Sequence, residues 1–276
     1  MIDKQSITLL DTLRQIRKVQ RLSQLELSLR LGVSQRHISF VESGRAKPSR
    51  DLLIAWLQEL DAPLVVRNQA MLLAGYAPVY SSTQLEDPAL AQINVALQQL
   101  LWAHDPMPAL ILDEHWNLLR LNQGGQWLAA TLMPEMADLH HTSPINLLDL
   151  LTHPEGLAKP IVNLHEVGPA LLAHLRHEAA VQPTLMPKVD AFAAMLHRRL
   201  GSLPPSGTHP TAPVLTTRYA TKHGELAFFS MFTTFGTPQD ITLASLRVEH
   251  LFAADAATHA VLRAQVQATD PQSIPG

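Results

Sequence analysis

Apolar residues recur at intervals of three and four through the first 75 residues, which is the spacing of side chains along one face of an α-helix. Leu9, Leu13 and Ile16 form the first such stripe, and basic residues lie on the opposite face. Prolines and glycines separate the stripes, because neither residue continues a helix easily. The pattern predicts five helices over residues 7–20, 24–31, 35–42, 50–60 and 64–73.

A tight turn is predicted between the second and third helices. Gly32 supplies a position at which a positive φ costs little, and Ser34 is suited to cap the helix that follows. In that helix Ile38 and Val41 share one face, so they predict a buried side opposite a polar one. Two short helices joined in this way form a helix-turn-helix, whose second helix enters the major groove of DNA.

The polar face of the third helix carries side chains that suit base reading. Glutamine can form two hydrogen bonds with adenine and arginine two with guanine, and Gln35 and Arg36 open this helix. Phosphate contacts are expected from an amide at the start of the second helix and from cations in the loop after the third. The predicted DNA-contacting residues are Gln24, Ser34, Gln35, Arg36, His37, Ser39, Arg45 and Lys47.

Residues 22–49 resemble a known family of DNA-binding domains, the XRE-type or phage-repressor-like domain. The motif of that family has a glutamine at the start of the second helix, LGVS before the recognition helix, and E-x-G-R-x-x-P-S after it. Here these are Gln24, residues 31–34 and residues 42–49. The resemblance implies a five-helix domain that binds double-stranded DNA. The alternative is a helical bundle with a chance turn and a solvated basic face.

Beyond a linker at residues 75–82 the pattern mixes helices and strands, and we predict a boundary near residue 80, giving domains 1–80 and 81–276. Two short apolar runs flank a polar turn at Glu114 and His115, and three longer segments with turn residues between them follow near the C-terminus. The predicted strands are 109–113, 116–122, 214–221, 225–234 and 241–248, and the predicted helices are 88–102, 123–132, 163–181, 187–200 and 253–267.

Two strands, an insertion of helices and three further strands are the order of a PAS-like fold. Such a fold has a five-stranded antiparallel sheet with helices on one face, and its core can hold a small molecule. The predicted fold class is therefore α+β, with an all-α five-helix domain followed by a PAS-like domain.

A second resemblance covers nearly the whole chain. Residues 108–122, PALILDEHWNLLRLN, look like the start of the ligand-binding domain of MmyB-like regulators. Residues 146–151, the helix that ends in LLAHLR at residue 176 and the predicted hairpin at 219–229 are similar as well. These regulators join an XRE-type head to a PAS-like domain. The resemblance implies a transcription regulator whose pocket accepts a long apolar ligand, namely a fatty acid.

Large side chains of the second domain are the candidates for lining such a pocket, although each apolar one could equally fill an ordinary core. These candidates are Trp127, Leu128, Leu132, Leu171, His174, Leu175, Phe192, Leu196, Phe229 and Met231. The side chains that could pair with a ligand carboxylate are Arg120, His165, His174 and Arg176.

Charge divides the chain close to the predicted boundary. Residues 1–70 carry a net charge of +4 and residues 71–276 a net charge of −7, which suits a DNA-binding head on a domain with another task. There is no cysteine, which excludes disulfides and thiolate metal sites and agrees with a cytoplasmic location. No signal peptide is evident, and no apolar run approaches the roughly 20 residues that span a bilayer.

Motifs for catalysis or metal binding are weak. There is no G-x-S-x-G, no phosphate-binding glycine loop and no H-E-x-x-H. Among the 14 histidines, His140 and His141 are adjacent, and His174 and His177 are three residues apart on a predicted helix. We predict no catalytic residue, no metal site and no required cofactor, and a bound fatty acid is the one small molecule expected.

These features predict a cytoplasmic, ligand-responsive regulator that binds DNA as a homodimer, because a single small head makes few contacts with DNA. The alternative is a repressor or antitoxin-like regulator that is controlled by a protein partner and binds no small molecule.

Overall fold

The computed structural model describes residues 8–136, 144–201 and 214–266. Contacts between residues divide the chain into two units, which are described separately. The described residues up to Gln84 form the first unit together with the later segment Gly236–Ala244. The second unit comprises Leu85–Phe235 and the residues from Ser245 onward. The boundary near residue 80 stays a prediction, because the later segment makes the first unit discontinuous.

Five helices form in the first unit at the predicted places. A hydroxyl side chain caps each of the first four by accepting the backbone N–H three residues on. Gly32, with φ of 65°, ends the second helix in the left-handed conformation that glycine adopts without strain. The helices are α1 (Leu9–Val19), α2 (Gln24–Leu31), α3 (Gln35–Glu42), α4 (Arg50–Glu59) and α5 (Leu64–Leu73).

Side chains from all five helices meet in one core. Trp56 of α4 and Ile38 of α3 have no exposed surface, and Leu13 of α1 is equally buried. Because Ile38 and Val41 both face this core, the opposite side of α3 faces solvent. The predicted helix-turn-helix therefore has its predicted buried and polar faces.

A buried ion pair ties α1, α2 and α3 together. Arg17 Nε and Nη2 lie 2.7 and 2.8 Å from the two carboxylate oxygens of Glu42. Gln24 Nε2 donates to the same carboxylate at 2.7 Å. Both members of the ion pair are almost completely buried. A buried charge that loses its partner is costly, so the three helices are held in one arrangement.

The second unit follows the predicted order of helices and strands, with short 3₁₀ turns before α6 and α10 and after α7. Its elements, including α11 in the connection between the last two strands, are α6 (Ala91–His104), β1 (Ala109–Leu112), β2 (Leu118–Leu121), α7 (Gln123–Leu132), α8 (Leu147–Thr152), α9 (Leu164–Val181), α10 (Met186–Leu200), β3 (Thr217–Thr221), β4 (Gly224–Thr234), α11 (Ile241–Ser245), β5 (Arg247–Ala253) and α12 (Ala256–Gln265).

The five strands form one antiparallel sheet in the order β2-β1-β5-β4-β3. The longest pairing joins β4 to β5, from Phe228 opposite Ala253 to Thr234 opposite Arg247. One face of the sheet packs on the inserted helices, where Leu112 of β1 shares a buried cluster with residues of α8, α9 and α10. The predicted α+β class, with five helices followed by a five-stranded antiparallel sheet and helices, is confirmed.

The last strand was predicted too early. Residues 241–245 form α11, and the strand begins at Arg247 instead. The reason is Asp240, whose Oδ1 accepts the backbone N–H groups of Thr242 and Leu243 and so starts a helical turn. The final helix correspondingly begins at Ala256, after the capping residue Asp255, and not at residue 253.

Asp240 also holds the segment before the second unit. Its Oδ2 accepts hydrogen bonds from the Ser81 hydroxyl at 2.7 Å and from the Thr83 hydroxyl at 2.8 Å. The backbone N–H of Ile241 donates to the Ser81 carbonyl at 2.8 Å. These contacts explain why Gly236–Ala244 belongs to the first unit.

Glu42→Ala is expected to destabilise the first unit by about 3–5 kcal/mol, because it leaves Arg17 buried without its counter-ion. The matched control is Glu59→Ala, since Glu59 pairs with Arg30 in a more exposed ion pair whose loss should cost at most about 1 kcal/mol. Hydrogen–deuterium exchange of α1–α3 peptides in the full chain measures the free energy of local opening. Equal losses in the two variants would show that the buried pair contributes no more than the surface pair.

Candidate functional site

The exposed face of α3 presents the residues predicted to read bases. Gln35 and Arg36 are exposed, while His37 and Ser39 are partly buried. Ser34 caps the helix by accepting the N–H of His37 at 3.2 Å, so its hydroxyl orients the helix N-terminus. These residues occupy one end and one side of the same short helix, which is the geometry that base reading in a groove requires.

Glu42, the last residue of α3, fixes the C-terminal end of this helix. Burial alone would raise the pKa of Glu42, but hydrogen bonds from Arg17 and Gln24 hold it below its usual value. Arg14 Nη2 donates to the Glu42 carbonyl at 2.7 Å. The Gln24 amide, predicted to contact phosphate, is therefore engaged with Glu42 through its nitrogen. Neither Arg14 nor Glu42 was identified from the sequence as a residue that positions α3. For Glu42 the signal in the sequence is a charged residue on the apolar face of that helix.

Aromatic rings flank three of the cations that were predicted to contact DNA. The guanidinium carbons of Arg36 and Arg45 lie 5.0 and 5.8 Å from the ring centroid of Phe40. Lys47 Nζ lies 5.0 Å from the ring centroid of Tyr76. Such contacts restrict long flexible side chains while leaving their charges in solvent. Arg36 and Arg45 are thus partly ordered beside Phe40 of α3, and Lys47 is partly ordered beside Tyr76.

A cavity of about 550 Å³ lies in the second unit between the sheet and helices α7, α8 and α9. Its walls are formed mainly by leucine and aromatic side chains, with a few polar groups among them. The residues that line it on the helical side include Leu128, Ala129, Leu132, Leu147, Leu150, Leu151, Val167, Leu171 and His174.

The sheet side of the cavity follows the alternation of the strands. Thr217 of β3 is opposite Phe228 of β4, and Ser230 is opposite Leu251 of β5. Alternate residues along a strand share a face, so these side chains point to the same side of the sheet. The residues of this face that line the cavity are Leu110, Leu121, Thr217, Tyr219, Phe228, Ser230, Phe232, Glu249 and Leu251.

Glu249 and Tyr219 are the titratable groups on this sheet face of the cavity. Burial raises the pKa of Glu249, although a hydrogen bond from Ser230 and the charge of Arg247 oppose the shift. Burial, with a smaller effect of Glu249, also raises the pKa of Tyr219. Burial thus favours the protonated form of both groups, and in that form each can act as a hydrogen-bond donor. Neither was predicted as a site residue from the sequence.

A second polar cluster surrounds Glu178 of α9. Its carboxylate accepts hydrogen bonds from Trp116 Nε1 at 2.8 Å and from Arg247 Nη1 at 2.6 Å. His174 Nε2 lies 3.1 Å from the same carboxylate. Burial opposes ionisation, but Arg247 and Trp116 hold the pKa of Glu178 below its usual value. Two of the four members, Trp116 and His174, line the cavity.

The structure distributes the predicted pocket residues between the cavity and the surrounding core. Leu128, Leu132, Leu171, His174, Phe229 and Met231 border the cavity. Leu175, Phe192 and Leu196 are fully buried in the cluster between α9 and α10, and Trp127 lies against His223. Whether any of them contacts a ligand stays a prediction.

The residues predicted to meet a ligand carboxylate are dispersed. Arg120 donates to Asn94 at 2.6 Å, and His165 lies 3.5 Å from Glu166. Arg176 is exposed on α9, and among these residues His174 alone lines the cavity.

Within the described ranges, no three histidine, aspartate or glutamate side chains are grouped so as to hold a metal ion. His140 and His141 lie outside those ranges. None of the helices that the structure describes is both long enough and apolar enough to cross a membrane.

Comparison with known proteins identifies two matching families. The family described as the MmyB-like transcription regulator ligand binding domain matches residues 93–264, and the helix-turn-helix family matches residues 13–66. No curated protein matches the chain. The chain is similar to a solved structure titled "Structure of an RNA-binding Light-Oxygen-Voltage Receptor", with 14% identity, a TM-score of 0.25 and coverage of 94% of this chain. The chain spans 59% of the length of that structure.

Ala129→Phe is expected to weaken the binding of an apolar fluorescent dye by about ten-fold, because a ring at this position enters the cavity that Ala129 lines. Ala130→Phe is the matched control, since the neighbouring residue of α7 faces solvent. Dye titrations with both variants and the unmodified chain test the cavity without reference to its natural ligand. Similar affinities in all three would place the dye elsewhere.

Proposed function

Because the chain belongs to the family of MmyB-like transcription regulators, as the match over residues 93–264 shows, we propose that it controls transcription by binding DNA through its first unit and a small apolar molecule through its second. The observation that carries the proposal is the combination, in one chain, of an exposed polar recognition helix and a largely apolar cavity. Both matching families are those of regulators and not of enzymes.

We propose that α3 enters the major groove of DNA. Gln35 and Arg36 then read base edges, because their amide and guanidinium groups can each form two hydrogen bonds with one base. Arg45 and Lys47 contact phosphates, where charge matters more than geometry. Two copies of the chain bind a two-fold symmetric site, because pairing two small heads increases both affinity and specificity.

The ligand that the cavity supports best has an acyl chain of about a dozen carbons. A volume of about 550 Å³ lies within the range of small-molecule sites. Each buried methylene contributes about 0.8 kcal/mol, so such a chain supplies roughly 10 kcal/mol before the cost of ordering it. A fatty acid or a related acyl compound fits this description. It regulates DNA binding only if it binds the two states of the protein with different affinities.

Gln35→Ala is expected to cost about 1–3 kcal/mol of binding to a selected DNA site and much less on random DNA, because it removes a base contact and no charge. Gln58→Ala is the control, since Gln58 is an exposed glutamine of α4. Fluorescence anisotropy titrations at one salt concentration measure both affinities. If Gln35→Ala weakened the two DNAs equally, Gln35 would not read bases.

Compounds with acyl chains of about 10–14 carbons are expected to raise the Tm of the full chain and to change its affinity for the selected DNA site several-fold. Thermal unfolding and anisotropy on the same samples measure the two effects, and Ala129→Phe should reduce both while Ala130→Phe preserves them. A rise in Tm without any change in DNA affinity would make the cavity structural. Native mass spectrometry that detects a protein partner and no bound lipid would favour the regulator controlled by protein contacts.

A further inference from the structure

The cavity has one group of oxygen-bearing side chains on its sheet side. Glu249 lies opposite Phe232 of β4 and Leu110 of β1, in the interior of the sheet. Ser230 is hydrogen-bonded to it, and Tyr219 of β3 belongs to the same face. All three side chains line the cavity. A ligand that fills the cavity therefore lies against a carboxyl, a phenol and a hydroxyl, and such groups are costly to bury without partners.

These groups can meet a ligand as hydrogen-bond donors. Burial keeps the pKa of Glu249 above its usual range, and the pKa of Tyr219 is raised for the same reason. A protonated carboxyl and a phenol each donate one hydrogen bond, and a protonated carboxyl can also accept one. An oxygen atom of a ligand placed between them would satisfy both.

The charges around Glu249 do not provide a counter-ion for an acid. No lysine or arginine is among the described residues that line the cavity. Arg247, two residues earlier on β5, is paired with Glu178 of α9 at 2.6 Å. His174 of α9 lines the cavity, but its Nε2 is 3.1 Å from the same carboxylate. A carboxylate ligand would thus bring a second acidic group beside Glu249, where the nearby cation Arg247 is already paired with Glu178.

We infer that the cavity recognises its acyl or alkyl ligand through an uncharged hydroxyl or carbonyl group that is hydrogen-bonded to Glu249, Tyr219 and Ser230. The inference rests on the proposed function, because it specifies the ligand of the same cavity. It replaces the carboxylate end group expected of a fatty acid with the neutral oxygen of an alcohol, an ester or another uncharged compound that carries the same long chain.

Three probes with the same twelve-carbon chain test this inference: dodecan-1-ol, dodecanoate and dodecylamine. The full chain is first stripped of co-purified lipid, and each probe then displaces an apolar dye at pH 8. We expect the alcohol to bind at least about ten-fold more tightly than either charged probe, because only the charged end groups lose solvation without a matching partner.

Variants of Glu249 locate the effect. Glu249→Leu should lower the affinity for dodecan-1-ol about ten-fold, whereas Glu249→Gln, which keeps a donor, should lower it less than about three-fold. Glu225→Gln is the control, because Glu225 of β4 is exposed and pairs with Arg218. Ser230→Ala provides a second variant if thermal unfolding shows that Glu249→Leu is misfolded, and it should also weaken the alcohol selectively.

Tightest binding by dodecanoate would overturn the inference. It would indicate that the ligand carboxylate pairs with Arg247, whose Nε has no partner among the described residues. Tightest binding by dodecylamine would overturn it as well, by showing that Glu249 binds its ligand as a carboxylate. In both cases the proposed ligand-binding function would stand. Failure of the dye and of all three probes to bind would instead contradict that function and the inference with it.

Discussion

The register of the five-stranded sheet is the constraint on which the second unit depends. Side chains alternate between the two faces of a strand, so a shift of β4 by one residue against β5 would turn Phe228 and Ser230 to the opposite face of the sheet. That shift would also remove the hydroxyl that meets Glu249. The backbone pairing of β4 with β5 therefore sets both the shape of the cavity and the positions of its polar residues Glu249 and Ser230.

The first unit depends on a comparable constraint of a different kind. Its apolar stripes fix which sides of the helices are buried, but they leave neighbouring helices free to slide. The Arg17–Glu42 pair, with Gln24, removes that freedom, because a small displacement would leave buried charges without partners. Ile38 and Glu42 thus orient the exposed residues of α3 without touching what those residues bind.

Sequence patterns predicted the helices of the first unit and the order of strands in the second, because both depend on local periodicity and capping. They did not separate residues that face the cavity from residues that face another helix. Leu171 and Leu175 lie on one face of α9, yet the first borders the cavity and the second is in the core. Glu249 was missed because it lies one residue beyond the end of the predicted strand 241–248, whereas β5 runs from Arg247 to Ala253. The predicted start of the last strand was wrong because Asp240 caps a helical turn, and the apolar residues of that turn were assigned to the strand.

The contacts of Asp240 bear on how such a protein exchanges its parts in evolution. Ser81 and Thr83 precede the second unit, whereas the carboxylate that accepts their hydrogen bonds lies between β4 and β5. Recombination at a single point after Gln84, where the N-terminal part of the first unit ends, would replace Ser81 and Thr83 and leave Asp240 without its hydroxyl partners. A functional exchange therefore needs two crossovers, or a new head that keeps hydroxyl residues at both positions. Lineages of this architecture should accordingly inherit the linker and the β4–β5 connection as a pair.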